Sequence, residues 1–164
     1  MSDPVSAYLN SLPAIKARAE LSRCCGARLW VDAMIEARPF AGDTELFGVA
    51  ERVWWGLGRA DWLEAFAAHP RIGDSVSTDW TRREQAGVDG APAATLSALA
   101  RHTAVYEQRF GHVFLICAMG RTADEMLDAL RHRLTNDPTT ELRIAAAEQA
   151  KITRLRLDKL LEDA

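Results

Sequence analysis

Apolar residues return at three- and four-residue intervals along nearly the whole chain, and prolines and glycines cut that pattern into helix-length pieces. Ser11 ahead of Pro13 reads as the N-cap of a helix through Ile15, Leu21, Leu29, Trp30 and Met34, with Gly26 as a candidate break. Arg38-Pro39-Phe40 leads into a loop, and Asp43 caps a helix carrying Leu46, Val49, Ala50 and Trp54. Asp61 and Glu64 have the spacing of a capping box and open a short helix with Trp62, Leu63 and Phe66 on its apolar face. Pro70 stops it, because the residue before a proline is pushed out of the α region.

Thr81 with Glu84 has capping-box spacing again, and a long amphipathic helix follows through Leu96, Leu99, Thr103, Tyr106 and Phe110, with Gly111 at its C′ position. Thr122 with Glu125 opens another helix, closed by Asn136-Asp137-Pro138. A last helix from about Thr140 carries Leu142, Ile144, Ala145, Ile152 and Leu155 on its apolar side. Val113 to Met119 is apolar without interruption and ends at Gly120; it is either a buried extended segment or a helical turn. Its backbone groups must be paired within the protein or offered to a ligand. The expected fold is all-α, a compact single-domain bundle over residues 1–164 of about seven or eight helices.

With 164 residues, 48% of them hydrophobic and 26% charged, the chain is long enough to bury a core. A net charge of −3 exerts no general pull on nucleic acid or anionic membrane. Cys24, Cys25 and Cys117 make neither a disulfide framework nor a zinc pattern. Together with the lack of a secretory pattern at Met1–Pro4, of a membrane-length apolar run and of a peroxisomal ending, they point to a cytoplasmic protein.

The stretch Ala68-His69-Pro70-Arg71-Ile72-Gly73-Asp74 sets one imidazole where a helix opens into a glycine-containing loop. Helix-terminal carbonyls favour a cation there, so His69 is suited to give a proton or to bind a carboxylate. On the dipeptide alone, a surface histidine before a turn proline is the favoured reading. Glu84 is either a helix cap or a site carboxylate, and Arg156 either a solvated surface group or an anion-binding fork. His102, His112 and His132 have no metal-ligand grouping, and Cys117, within an apolar run, reads as a buried filler.

Ala-His-Pro-Arg-Ile-Gly, then Thr-x-x-Glu-Gln-Ala-Gly, then Tyr106-x-x-x-Phe110-Gly111 with Phe114 to Ala118 and Gly120-Arg121, stand in a fixed order. Arg38-Pro39-Phe40 precedes them, and Arg133-Leu134-x-Asn136, Glu141 and Leu155-Arg156-Leu157 follow. The ordered set resembles the 2-oxo-4-hydroxy-4-carboxy-5-ureidoimidazoline (OHCU) decarboxylases of urate catabolism over nearly the whole chain. The resemblance implies an all-helical, cofactor-free enzyme, commonly a homodimer, that forms (S)-allantoin from a small-molecule substrate. It places the catalytic pair at His69 and Glu84. Substrate contacts fall at Pro70, Thr81, Gln85, the strip Ile116, Cys117, Ala118, Met119 and Gly120, and Arg156, with Arg154 as the alternative alignment. Thr81 stands for the usual serine, Thr103 for a common asparagine, and His112-Val113 for a frequent Phe-Pro.

Loss of CO2 leaves an electron pair that the ring's C=N and C=O can take up, so the protein must orient the ring, exclude water and supply an acid. His69 suits the acid. Glu84 suits a hydrogen bond to the 4-hydroxyl or to His69, Gln85 matches a ureido group, and Arg156 a carboxylate or carbonyl. A non-catalytic helical interaction module competes with this reading, but it has no need of His69, Glu84 and Gln85 together. A DNA-binding helical protein, suggested by the arginine-rich helices, is disfavoured by the acidic balance.

Overall fold

The computed structural model describes residues 3–72 and 79–163, with the side chains of Asp79, Thr81 and Asp163 outside that description. Gly73, Asp74 and the rest of the expected loop up to Thr78 lie outside it as well. The described residues form nine α-helices and no strand, so the chain is all-α. In chain order these are α1 (Pro4–Ser11), α2 (Ala14–Cys24), α3 (Arg28–Ala37), α4 (Asp43–Trp55), α5 (Arg59–Ala67), α6 (Asp79–Glu84), α7 (Ala93–Phe110), α8 (Ala123–Arg133) and α9 (Pro138–Asp158). Short 3-10 turns cover Ala86–Val88 and Leu160–Asp163. Among the described residues no helix is long and apolar enough to cross a membrane. Two compact units divide the chain, one made of Met1–Ala65 with Ala150–Ala164 and the other of Phe66–Gln149.

In the first unit several expected helix ends move. Ser11 does not begin a helix; it closes α1, its hydroxyl donating to the Tyr8 carbonyl at 2.7 Å. Pro13 takes the N-cap of α2 instead, and the break near Gly26 falls between Cys24 and Arg28. Ile15 and Leu29, expected on an apolar face, are 80% and 54% exposed, while Ala17, Leu21, Trp30 and Met34 are buried. Arg38 explains the Arg-Pro-Phe sequence: its guanidinium donates to the carbonyls of Leu9 and Leu12, both at 2.8 Å, and so satisfies the end of α1. Phe40 is buried, its backbone N–H and C=O both bonded to the Asn10 amide.

The Asp61–Glu64 pair is not a capping box. α5 begins two residues earlier than Asp61, and Asp61 reaches back to accept the Gly58 N–H at 3.1 Å. Glu64 turns to another helix, accepting the Arg28 backbone N–H at 3.0 Å and pairing with its Nε at 2.8 Å. It thereby caps the first turn of α3, and those bonds hold its carboxyl below the ordinary range.

In the second unit α7 packs against α8. Tyr106, Phe110, Phe114, Met126, Leu127 and Leu130 form the core between and beside them. Gly111 ends α7 in the left-handed conformation expected of it, and the Thr122–Glu125 box is formed in both directions, at 2.9 and 3.1 Å. Inside this core lies an ionic hub. Arg133, 7% exposed, pairs with the wholly buried Glu141 at 2.6 Å, and Tyr106 donates its hydroxyl to the same carboxylate. Asn136 donates to the other Glu141 oxygen at 3.1 Å, and Arg133 sends Nη1 to the Leu115 carbonyl at 2.7 Å. Its guanidinium also lies 4.6 Å from the Phe114 ring centre. Burial, then the bond to Glu141, pushes the Tyr106 hydroxyl far above its ordinary titration range.

Removing one partner of such a pair strands the other charge. Arg133→Met is expected to lower the unfolding free energy by about 3–5 kcal/mol; a urea titration that shows under about 1 kcal/mol would place the hub among weak surface pairs.

Candidate functional site

His69 lies two residues past the end of α5, its backbone N–H donating to the Phe66 carbonyl at 3.1 Å. It is half-buried, and a cleft of about 430 Å³ lies beside it, lined by Pro70, Arg71, Glu107, His112 and Val113 among others. Arg71 is tied to Glu107 in a two-pronged pair, at 2.7 and 3.1 Å. The imidazole Nε2 stands 2.7 Å from Oε1 of Gln149, a fully buried residue of α9.

Glu84 is the last residue of α6, not a first-turn cap, because the helix already begins at Asp79. Glu84 as a whole is buried, 8% exposed. Gln85 follows, half-buried, at the N-cap of the Ala86–Val88 turn. The backbone of Thr81 runs within α6, while its side chain lies outside the described residues. Gly87 shows why this sequence ends in glycine. A Cβ there would lie 1.8 Å from the Arg121 carbonyl oxygen, so the segment after Glu84 and Gln85 packs backbone-to-backbone against the end of the apolar strip.

That strip, left open as extended or helical, has no regular structure between Val113 and Ala118. Phe114, Leu115, Ile116 and Ala118 are buried, Met119 is 36% exposed, and Gly120 turns the chain with φ +78°. Cys117, expected as buried filler, is only half-buried. Its N–H donates to Oε1 of the buried Glu148 at 3.0 Å, and its carbonyl accepts Arg121 Nε at 3.2 Å. Ala118 O accepts the Arg121 N–H at 3.0 Å. Part of the backbone that a ligand was expected to read is therefore taken up within the protein.

Arg156 belongs to the first unit, where its Nη1 donates to the Arg23 carbonyl at 3.2 Å. Arg154 lies 3.6 Å over the Phe47 ring and pairs with Asp158. His112 packs among Phe66, Tyr106 and Phe110, and His102 bonds the Ala98 carbonyl one turn back. Among the described residues no three His, Cys, Asp or Glu side chains are grouped to hold a metal ion. Burial pushes the Cys24 thiol well up and that of Cys25 to about 11, which unfits both as nucleophiles.

Reading the sequence missed Glu148 and Gln149. The signal was present: Glu141, Ala145, Glu148, Gln149 and Ile152 share one buried, helically spaced stripe of α9. Polar residues in such a stripe must have partners. The apolar side expected there is displaced, since Leu142, Ile144 and Leu155 are only half-buried.

A family model described as OHCU decarboxylase matches residues 10–158. The chain belongs to the OHCU decarboxylase family. It is 41% identical over 149 residues to the uric acid degradation bifunctional protein TTL of Arabidopsis thaliana, covering 85% of this chain and 46% of that protein. It is 37% identical over 78 residues to the 2-oxo-4-hydroxy-4-carboxy-5-ureidoimidazoline decarboxylase of Amia calva, covering 48% of this chain and 45% of that protein. The chain thus spans about half the length of these curated relatives. A solved OHCU decarboxylase, crystallised in the presence of (S)-allantoin, is 40% identical with a TM-score of 0.77, covering 87% of this chain and 97% of that one.

Within this family member, Gly87 makes a direct test of how closely the two segments pack. Gly87→Ala is expected to lower stability by about 1–3 kcal/mol, as overpacking does, and a chemical-denaturation midpoint equal to wild type would mean the Arg121 backbone yields freely.

Proposed function

We propose that this protein is a single-domain carboxy-lyase that converts OHCU to (S)-allantoin in urate degradation, without a cofactor. The observation that carries the proposal is His69 itself: one imidazole at a helix C-terminal end, beside a cleft, bonded to a buried amide. Family membership and the likeness to a decarboxylase crystallised with (S)-allantoin supply the reaction.

In this reading the substrate's carboxylate leaves as CO2, and the electron pair of the broken C–C bond passes into the ring's C=N and C=O. The same ring carbon then takes a proton on one face. His69 is the acid, in a position where the α5 carbonyls suit a cation. Glu84, largely withdrawn from water, hydrogen-bonds the 4-hydroxyl or orients His69. Gln85, with both donor and acceptor, matches the ureido group. Pro70 shapes the pocket and Ile116 to Gly120 provide an apolar wall with backbone groups, while the resemblance assigns further substrate contacts to Thr81 and Arg156. A homodimer belongs to the same proposal, on the strength of the resemblance, and a cytoplasmic location on that of the three cysteines without a disulfide framework.

The test generates OHCU in situ from urate with urate oxidase and hydroxyisourate hydrolase, and follows its loss and the circular dichroism of the allantoin formed. Wild type is expected to give one enantiomer quickly, and His69→Ala to lose about 10²–10⁴-fold in rate, the usual contribution of a general acid. Racemic product at the spontaneous rate from folded wild type defeats the proposal; full activity in His69→Ala reassigns the acid.

A further inference from the structure

We propose that Gln149 is the positioning residue of His69: its side-chain oxygen accepts the imidazole Nε2–H, which leaves Nδ1 as the atom that carries the mobile proton. The inference rests on the reading of His69 as the acid, and adds a residue and an atom to it.

The contact is short, 2.7 Å, and the two partners differ in exposure, His69 half-buried and Gln149 fully so. A buried amide is costly unless bonded, so its placement against the imidazole holds the ring as firmly as α9 holds Gln149. The adjacent residue makes the choice of an amide meaningful. Glu148 is a buried carboxylate on the same helical turn and takes the Cys117 N–H, while the side chain within 2.7 Å of the imidazole Nε2 is the neutral amide of Gln149. A carboxylate at the imidazole would stabilise the imidazolium and hold back its proton. An amide oxygen fixes the ring without that effect, and it does not titrate. Among the described residues, the other charged or titratable groups lining the cleft beside His69 are Arg71, paired with Glu107, and His112.

The proton count follows. The imidazolium carries protons on both nitrogens. When CO2 has left, the ring carbon takes the Nδ1 proton, and His69 becomes the neutral Nε2–H tautomer to which Gln149 is already bonded. No tautomer exchange is needed in the protein during the step.

The first arm needs no activity. In 15N-imidazole spectra of wild type, with the His69 signal assigned by its loss in His69→Asn, the neutral ring is expected to show a protonated Nε2 and a bare Nδ1. The opposite tautomer overturns the proposal. The second arm uses kinetics on variants whose fold is checked by circular dichroism and thermal melting. Gln149→Leu is expected to lower kcat about tenfold, the worth of one hydrogen bond, with little change in KM. Gln149→Glu is expected to move the alkaline limb of the kcat profile upward by about one pH unit or more, because activity is lost where the acid deprotonates. Unchanged kcat and an unmoved limb in the folded variants overturn the proposal. If wild type does not turn over OHCU, the decarboxylase reading fails and the tautomer alone decides this one.

Discussion

The second unit depends on a buried guanidinium meeting a wholly buried carboxylate. Arg133 and Glu141 come from different helices, α8 and α9, and neither charge is tolerable in the core without the other. Tyr106, Asn136 and the Leu115 carbonyl take up part of their remaining bonding capacity. The last of these matters most. The segment from Val113 to Ala118 has no ladder or helix to satisfy its backbone, so side chains must do it. Arg133 holds Leu115, Glu148 holds Cys117, and Arg121 closes the turn behind them.

Helix α9 is where these constraints meet. Glu141, Glu148 and Gln149 lie on one buried stripe and address three different features: the ionic hub, the apolar strip and the imidazole. Because Glu148 and Gln149 are consecutive in a rigid helix, the strip and His69 are held in register by a single element. The segment after Glu84 is fixed to the far end of the strip by a different device, the missing side chain of Gly87. The His69 imidazole and the segment after Glu84 are thus tied to α9 and to the end of the strip. This is the kind of preorganisation that a reaction relying on placement and one proton transfer needs.

Much of this is legible in the amino-acid sequence. The helical spacing gave the all-α class, Thr122 and Glu125 gave a box that is formed in both directions, and Gly111 gave a left-handed helix end. His69 before Pro70 lies just past a helix end, as its dipeptide implied. Other local patterns misled. Ser11 precedes a helix-starting proline, and Asp61 and Glu84 sit at capping distance from a suitable partner residue, yet Ser11 and Glu84 end helices and Asp61 lies in the third position of one. A short polar side chain can bond forward or backward along the chain, and the spacing is the same in both cases.

The sequence by itself determined the class of fold, the family and the identity of the chemical groups, because periodicity, punctuation and ordered motifs are properties of the chain alone. Which helix Glu64 caps, which carboxylate meets Cys117, and that Gln149 meets His69 across 80 positions of sequence were decided only by tertiary structure. The physical reason is that a buried polar group must find a partner, but its type says only that one exists. Packing alone determines which residue, distant in the chain, arrives within 3 Å of it.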